Sequence, residues 1–251
     1  MKKIQIFTVR MMLVFILIQL SSCQKFIDRI FPGHTGNDYK GCRIKHITSK
    51  LFTAEGEEEV IATVEYNDAN NPTSFLYNKE RAYYLSLRYM FYDSNNRLIE
   101  YKVKYDTSLE IENHRYGYSA DRIITDTATL RLTGYIVVLS TFEYDSKGRI
   151  VVENRRVIDA DGSPDSWPPV DPIIYQYDSN DNLVVDGDYA YDNKVNFRRT
   201  NKVWMFILRN YSQNNLQGAA AYNEQGFPIR FNDSYDHLFY TALTAIDYHC
   251  E

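Results

Sequence analysis

Apolar residues are distributed along the chain in two ways. From Met11 to Leu20 (MMLVFILIQL) they are nearly continuous, with Gln19 the one polar position. From residue 42 onward they alternate with polar residues in short runs, and most runs end in a cluster of Asp, Asn, Ser or Gly. Period-two alternation puts successive side chains on opposite faces of a β-strand, and a polar cluster between two such runs marks a turn. The alternation also repeats. Tyr66, Tyr92, Tyr118 and Tyr144 recur every 26 residues, each at the end of an apolar run and ahead of a polar turn. Two later copies, Tyr175-Gln176-Tyr177-Asp178 and Ala221-Tyr222-Asn223, are displaced by insertions.

The unit is a β-hairpin. In Phe142-Glu143-Tyr144-Asp145-Ser146-Lys147-Gly148-Arg149-Ile150-Val151-Val152, Phe142 and Tyr144 share one strand face. Asp145 can accept backbone hydrogen bonds as the chain turns, Gly148 can take a left-handed conformation, and the β-branched run starts the returning strand. Asn96 in the second copy and Gly226 in the last take the place of Gly148. Turns are expected at 67–71, 93–97, 119–121, 145–149, 178–182 and 223–227. Six hairpins and their flanks predict an all-β antiparallel meander of about 12 to 14 strands, barrel-like or strongly curved. Thr200 to Tyr211 (TNKVWMFILRNY) breaks the alternation. Val203, Phe206, Ile207 and Tyr211 follow helical spacing behind a Thr200 or Asn201 cap, with a buried strand as the alternative. A barrel of this size has more interior than its walls fill, so this segment, with Trp204, Phe206 and Ile207, is expected to plug the concave face.

These motifs resemble the YD repeat, Tyr-Asp, two residues, then Gly-Arg-Leu or Ile. Tyr144 to Ile150 matches it fully, Tyr92 to Leu98 matches save for Asn96, and the remaining copies are weaker. In uncharacterised YD-like lipoproteins of Bacteroidota-type bacteria, a Tyr-Asp-Asn-Lys-x-Asn segment precedes a less regular crossing. Tyr191 to Asn196 is similar to it, and Asn214-Asn215 resembles the paired Asn that follows. The resemblance covers residues 42–251. It implies a fold and a location, and no activity.

The continuous run near the N-terminus has a different use. Its ten residues span about 15 Å as a helix, half a bilayer core, behind the basic Met1-Lys2-Lys3. That is a signal-peptide h-region. Leu20-Ser21-Ser22-Cys23 then resembles the lipobox of bacterial lipoproteins, which implies cleavage after residue 22 and acylation of Cys23. Gln24, where Asp would cause inner-membrane retention in enteric bacteria, points to the outer membrane, with its periplasmic face and the cell surface both open. Residues 23–41 read as a tether.

Loss of the leader removes three basic residues and no acids, taking the net charge from −5 to −8. An acidic mature chain argues against nucleic acid as a partner. With lipid on Cys23, Cys42 and Cys250 remain in an oxidising compartment. A disulfide is the simplest use of both, with free thiols the alternative. It would join the first strand to the last and blunt the edges of the meander.

No catalytic or cofactor motif is present. The five histidines, His34, His46, His114, His237 and His249, sit in no zinc-helix spacing, and the chain has neither a nucleophile elbow nor a phosphate-cradling loop. Asp178 to Asn182 starts like a calcium loop, but Leu183 stands where Gly is needed. Asp159 to Pro172 (DADGSPDSWPPVDP) reads as an acidic surface loop, and its Trp167 is the candidate ligand contact. The expectation is a non-catalytic envelope lipoprotein, structural or binding a glycan or protein. The alternative is a hydrolase whose acidic pair is assembled only in the fold.

Overall fold

A computed structural model describes residues 41–53, 56–79, 86–105, 109–131, 135–159, 169–184, 190–216, 219–236 and 241–250. The leader, Cys23, the tether as far as residue 40, and Trp167 with most of its loop lie outside the described residues. The strands are β1 (Cys42–Thr53), β2 (Gly56–Tyr66), β3 (Pro72–Tyr77), β4 (Leu87–Tyr92), β5 (Leu98–Lys104), β6 (Glu110–Ser119), β7 (Arg122–Arg131), β8 (Tyr135–Tyr144), β9 (Ile150–Asp159), β10 (Ile173–Ile174), β11 (Tyr191–Val195), β12 (Asn214–Leu216), β13 (Ala221–Tyr222), β14 (Pro228–Asp236) and β15 (Thr241–Cys250). A 3-10 turn (Phe197–Thr200) and one short helix, α1 (Lys202–Ile207), lie between β11 and β12. Thirteen strands form one antiparallel meander in the order β10-β9-β8-β7-β6-β5-β4-β3-β2-β1-β15-β14-β13, and β11 pairs with β12 separately.

Every expected turn is present. The N–H of the first turn residue bonds the carbonyl of the fifth in Asn67–Asn71, Asp93–Arg97, Asp145–Arg149, Asp178–Asn182 and Asn223–Phe227. The fourth residue has positive φ in each: Asn70, Asn96, Gly148, Asp181 and Gly226. The third copy is tighter, with Ser119 paired to Arg122 and Ala120 at φ 51°. Asp145 Oδ1 accepts from the N–H groups of Lys147 and Arg149, and Asp93 does the same for Asn95 and Arg97. This explains the Asp: one carboxylate oxygen organises the turn backbone, and the other holds the Arg at 2.7 Å in both copies.

Tyr92, Tyr118 and Tyr144 each tie their hairpin to the one before it. Their hydroxyls donate to the carbonyls of Pro72, Leu98 and Ile123 at 2.7, 2.9 and 2.6 Å, near the start of the preceding return strand. The repeat Arg completes the link, with Arg97 over the Tyr118 ring and Arg149 over the Tyr177 ring at 4.8 and 4.0 Å.

The same arrangement appears where the first and last strands meet. β1 pairs with β15 in a register that sets Ile44 against Tyr248, as Tyr144 faces Ile150. Tyr248 donates to Pro228 O at 2.9 Å, and Arg43 lies 5.3 Å from the Tyr66 ring centroid. Cys42-Arg43-Ile44 thus stands where Gly148-Arg149-Ile150 stands, and Tyr248 serves as a seventh repeat tyrosine, 26 residues after Tyr222. The turn of this seventh hairpin is replaced by the Cys42–Cys250 disulfide, whose Cα atoms are 4.0 Å apart.

The sheet is strongly curved and not closed. Phe197 packs edge-on against Phe231 of β14, while Arg209 bonds Glu153 of β9. Those strands are ten steps apart in the sheet order, about 48 Å if it were flat. Residues 197–209 advance only about 20 Å, so the sheet bends around them. Trp204 and Phe206 are buried, and Ile207 packs against the same core, as a plug requires. Asn201 caps α1 by accepting from Val203 N–H. The helix is shorter than expected, ending at Ile207 rather than Tyr211, because Arg209 turns left-handed (φ 53°) to reach its partners. Joining the first and last strands moves the free edges to mid-sequence, at β10 and β13.

Candidate binding site at the seam of the sheet

Between β10 and β13 the strand ladder is interrupted, and side chains take over its role. The fifth turn, 178–182, meets the segment before β12: Gln213 N–H donates to Asp181 O, and Leu183 N–H to Ser212 Oγ. Asn182 and Asn214 bond reciprocally, with Asn182 Nδ2 donating to Asn214 Oδ1 at 3.1 Å and Asn214 N–H to Asn182 Oδ1 at 2.9 Å. Asp192 then spans to the far edge. Its Oδ1 accepts from the N–H groups of Lys194 and Asn215, and its Oδ2 from Asn215 Nδ2 and the Tyr222 hydroxyl of β13. Asn196 Nδ2 donates to Asn214 O, and Asn215 Oδ1 accepts from Phe197 N–H. The Tyr191–Asn196 segment and the paired Asn are therefore the polar stitching of the seam.

This stitching frames an open depression of about 580 Å³, lined by Asp178, Asn180, Asn182, Tyr191, Asp192, Asn193 and Asn214. The Tyr191 hydroxyl is tied back to Leu183 O at 2.5 Å, which fixes its ring as part of the wall. Burial raises the hydroxyl pKa of Tyr191, against a lowering contribution from Ser212. The five-residue span that begins like a calcium loop is a hairpin turn, as Leu183 implied, because Asp178 Oδ1 is occupied by the Asn180 and Asn182 N–H groups.

A second cluster lies inside the curl. Arg209 bonds Glu153 Oε2 and Asp126 Oδ2, both at 3.2 Å, and its guanidinium sits 4.4 Å from the ring centroids of Phe142 and Phe206. Arg155 and the Tyr175 hydroxyl donate to Glu153 at 2.9 Å each. His114 Nδ1 meets Asp126 at 3.0 Å, and its Nε2 lies 3.7 Å from Glu112. Burial opposes the charge on Glu153, but Arg209 and Arg155 outweigh it and hold the carboxyl below its ordinary range. Burial likewise pushes His114 down, yet its bonds to Asp126 and Glu112 prevail and bring it up to about 9. An acidic pair does converge here, with one cation lodged between its members.

Sequence reading found the disulfide and the plug. It missed the ion cluster and the seam depression, whose residues come from separate elements; the Asn-rich spacing of 191–196 and 214–215 was the one signal for the seam. His46 lies 3.6 Å from Asp247, apart from His114. Among the described residues no group of three or more His, Cys, Asp or Glu is placed to hold a metal ion, and no helix is long and apolar enough to cross a membrane.

No family model and no curated protein matches the chain. Among solved structures it is similar to one titled "Crystal Structure of TcdB2-TccC3-TEV", at 12% identity and a TM-score of 0.26, over 57% of this chain and 12% of that one. A likeness this distant carries nothing about function.

Proposed function

We propose that the chain is a YD-repeat-like lipoprotein, anchored in the bacterial outer membrane through Cys23, that binds a glycan or protein ligand without catalysis. The anchor rests on the short h-region followed by Leu20-Ser21-Ser22-Cys23. The non-catalytic reading rests on the state of the interior acids. A general acid needs a carboxyl whose pKa is raised and which substrate can reach. Asp126 and Glu153 share a guanidinium instead, with side chains only 4% and 2% exposed. The hydrolase alternative draws on the same convergence and would need Arg209 to leave.

Two measurements test the reading. Mass spectrometry of the native protein should find an acylated N-terminal Cys23, and an unmodified N-terminus at another residue would refute the anchor. The mature chain should co-sediment with insoluble cell-envelope polysaccharide or protein and release no soluble sugar or peptide. Steady product release that depends on Glu153 and Asp126 would establish the hydrolase instead.

A further inference from the structure

We infer that the seam depression is a recognition site for a neutral, hydroxyl-rich saccharide. This rests on the non-catalytic binding function proposed above and assigns that function a place and a ligand chemistry. None of the seven lining residues is Lys, Arg or aliphatic. Phosphate or carboxylate ligands would find no counter-charge there, and an apolar ligand would find little to bury against. What the wall offers is carboxamides. Each Asn presents an acceptor and two donors, the complement of a vicinal diol, in which every hydroxyl both donates and accepts. Asn180 and Asn193 are exposed, and their side chains make no hydrogen bond to another described residue. They are the groups available for a ligand.

The remaining lining side chains are already fixed. Asn182 and Asn214 hold each other, Asp192 accepts four hydrogen bonds, and the Tyr191 hydroxyl is tied to Leu183. A site set in this way loses little side-chain freedom when it is occupied. The Tyr191 ring supplies one aromatic wall among these polar groups. The volume of about 580 Å³ falls within the roughly 300–1,000 Å³ of small-ligand sites.

A divalent cation fits less well. Ca²⁺ takes about 6–8 oxygen ligands. Both oxygens of Asp192 are committed to N–H and O–H donors, and Asp178 Oδ1 holds two backbone N–H groups. That leaves Asp178 Oδ2 as the carboxylate oxygen open to the depression. It suits one hydroxyl donor.

The test is a titration of the isotope-labelled, full mature chain, followed through its Asn side-chain amide resonances. The probes are neutral hexasaccharides of α-glucose, β-glucose, β-mannose, β-xylose and N-acetylglucosamine, taken to about 10 mM, with hexagalacturonate and calcium chloride as charged comparisons. That range detects binding down to millimolar affinity. The expected result is that at least one neutral series shifts the amides of Asn180 and Asn193. Asn180→Ala with Asn193→Ala, whose exposed side chains take no part in the stitching, should then weaken that binding at least about tenfold with the melting curve unchanged. Shifts produced by calcium alone, or by hexagalacturonate more strongly than by every neutral probe, would overturn the assignment. So would the absence of any shift, or binding that the double variant leaves intact. A neutral saccharide bound elsewhere on the molecule would defeat this site while leaving the proposed function standing. Cleavage of the probes would defeat both.

Discussion

Replacing Arg209 by Met probes the interior most directly. Met preserves the stem and the backbone requirement of the left-handed position (φ 53°), so the change isolates the guanidinium. Its loss strips one partner each from Asp126 and Glu153, whose side chains are almost wholly buried. Breaking a buried ion pair costs about 3–5 kcal/mol, because a desolvated charge is left uncompensated. Here His114 still faces Asp126, and Arg155 still faces Glu153. The expected loss is therefore near the lower end, about 3 kcal/mol. Urea denaturation should show it as a lower midpoint at unchanged slope. Adding Asp126→Asn and Glu153→Gln to Arg209→Met should restore at least half the loss, because no orphaned carboxylate remains. The pH dependence supplies a second check. Glu153 in the native protein has a depressed pKa, so its stabilisation is present above the unfolded value and is lost as pH falls through the folded one. Without Arg209, burial acts with less opposition, and the variant's deficit should shrink as the pH drops below about 4.3, the ordinary Glu value. A deficit under about 1 kcal/mol, or a triple variant no more stable than the single one, would refute the reasoning.

Three other outcomes follow from single features. Cys42→Ser with Cys250→Ser should lower stability by up to about 5 kcal/mol, the chain-entropy value for a bond spanning 208 residues, and reducing the native protein should produce the same shift; an unchanged midpoint in either would contradict it. Gly148→Val places a β-branched residue at φ 76° and should cost about 1–2 kcal/mol, against a much smaller change for Lys147→Ala, which loses only an exposed ion pair with Asp181, read by thermal melting. His114, raised to about 9, stabilises the fold fully below its unfolded value near 6.5 and loses that contribution as pH rises through about 9; His114→Gln should flatten this alkaline loss, and NMR titration of the imidazole below pH 7 would refute the assignment.

The turns were legible because their causes are local. Asp145 bonds N–H groups two and four residues on, and a left-handed fourth residue needs Gly, Asn or Asp. The Asn201 cap was legible for the same reason. The end of α1 was not, because Arg209 is turned by carboxylates 56 and 83 residues away. The ion cluster draws on β6, β7, β9 and the residues after α1, so no window of sequence contains it. The seam depression is similar: Asp178 and Asn214 approach only because the curl brings the fifth turn beside the chain leaving the plug.

The seventh hairpin shows how one pattern can be both written in the sequence and hidden by it. In six copies, a short turn brings two strands into register at the small entropy cost of a short loop. The seventh has its strands at opposite ends of the described domain, with Tyr248 near one end and Arg43-Ile44 near the other. No turn can set their register, yet Ile44 pairs with Tyr248 as Ile150 pairs with Tyr144, and Arg43 stacks on the tyrosine of the next copy as Arg149 does. The disulfide does across 208 residues what five turn residues do elsewhere. Because β1 and β15 pair within the sheet, the break in the ladder falls between the fifth and sixth copies. That is where the insertions lie, where the plug enters the curl, and where Asn and Asp side chains replace strand pairing. The displaced Tyr177 and Tyr222 copies are thus the two banks of the seam, and the irregularity between them builds the site that the regular hairpins do not offer.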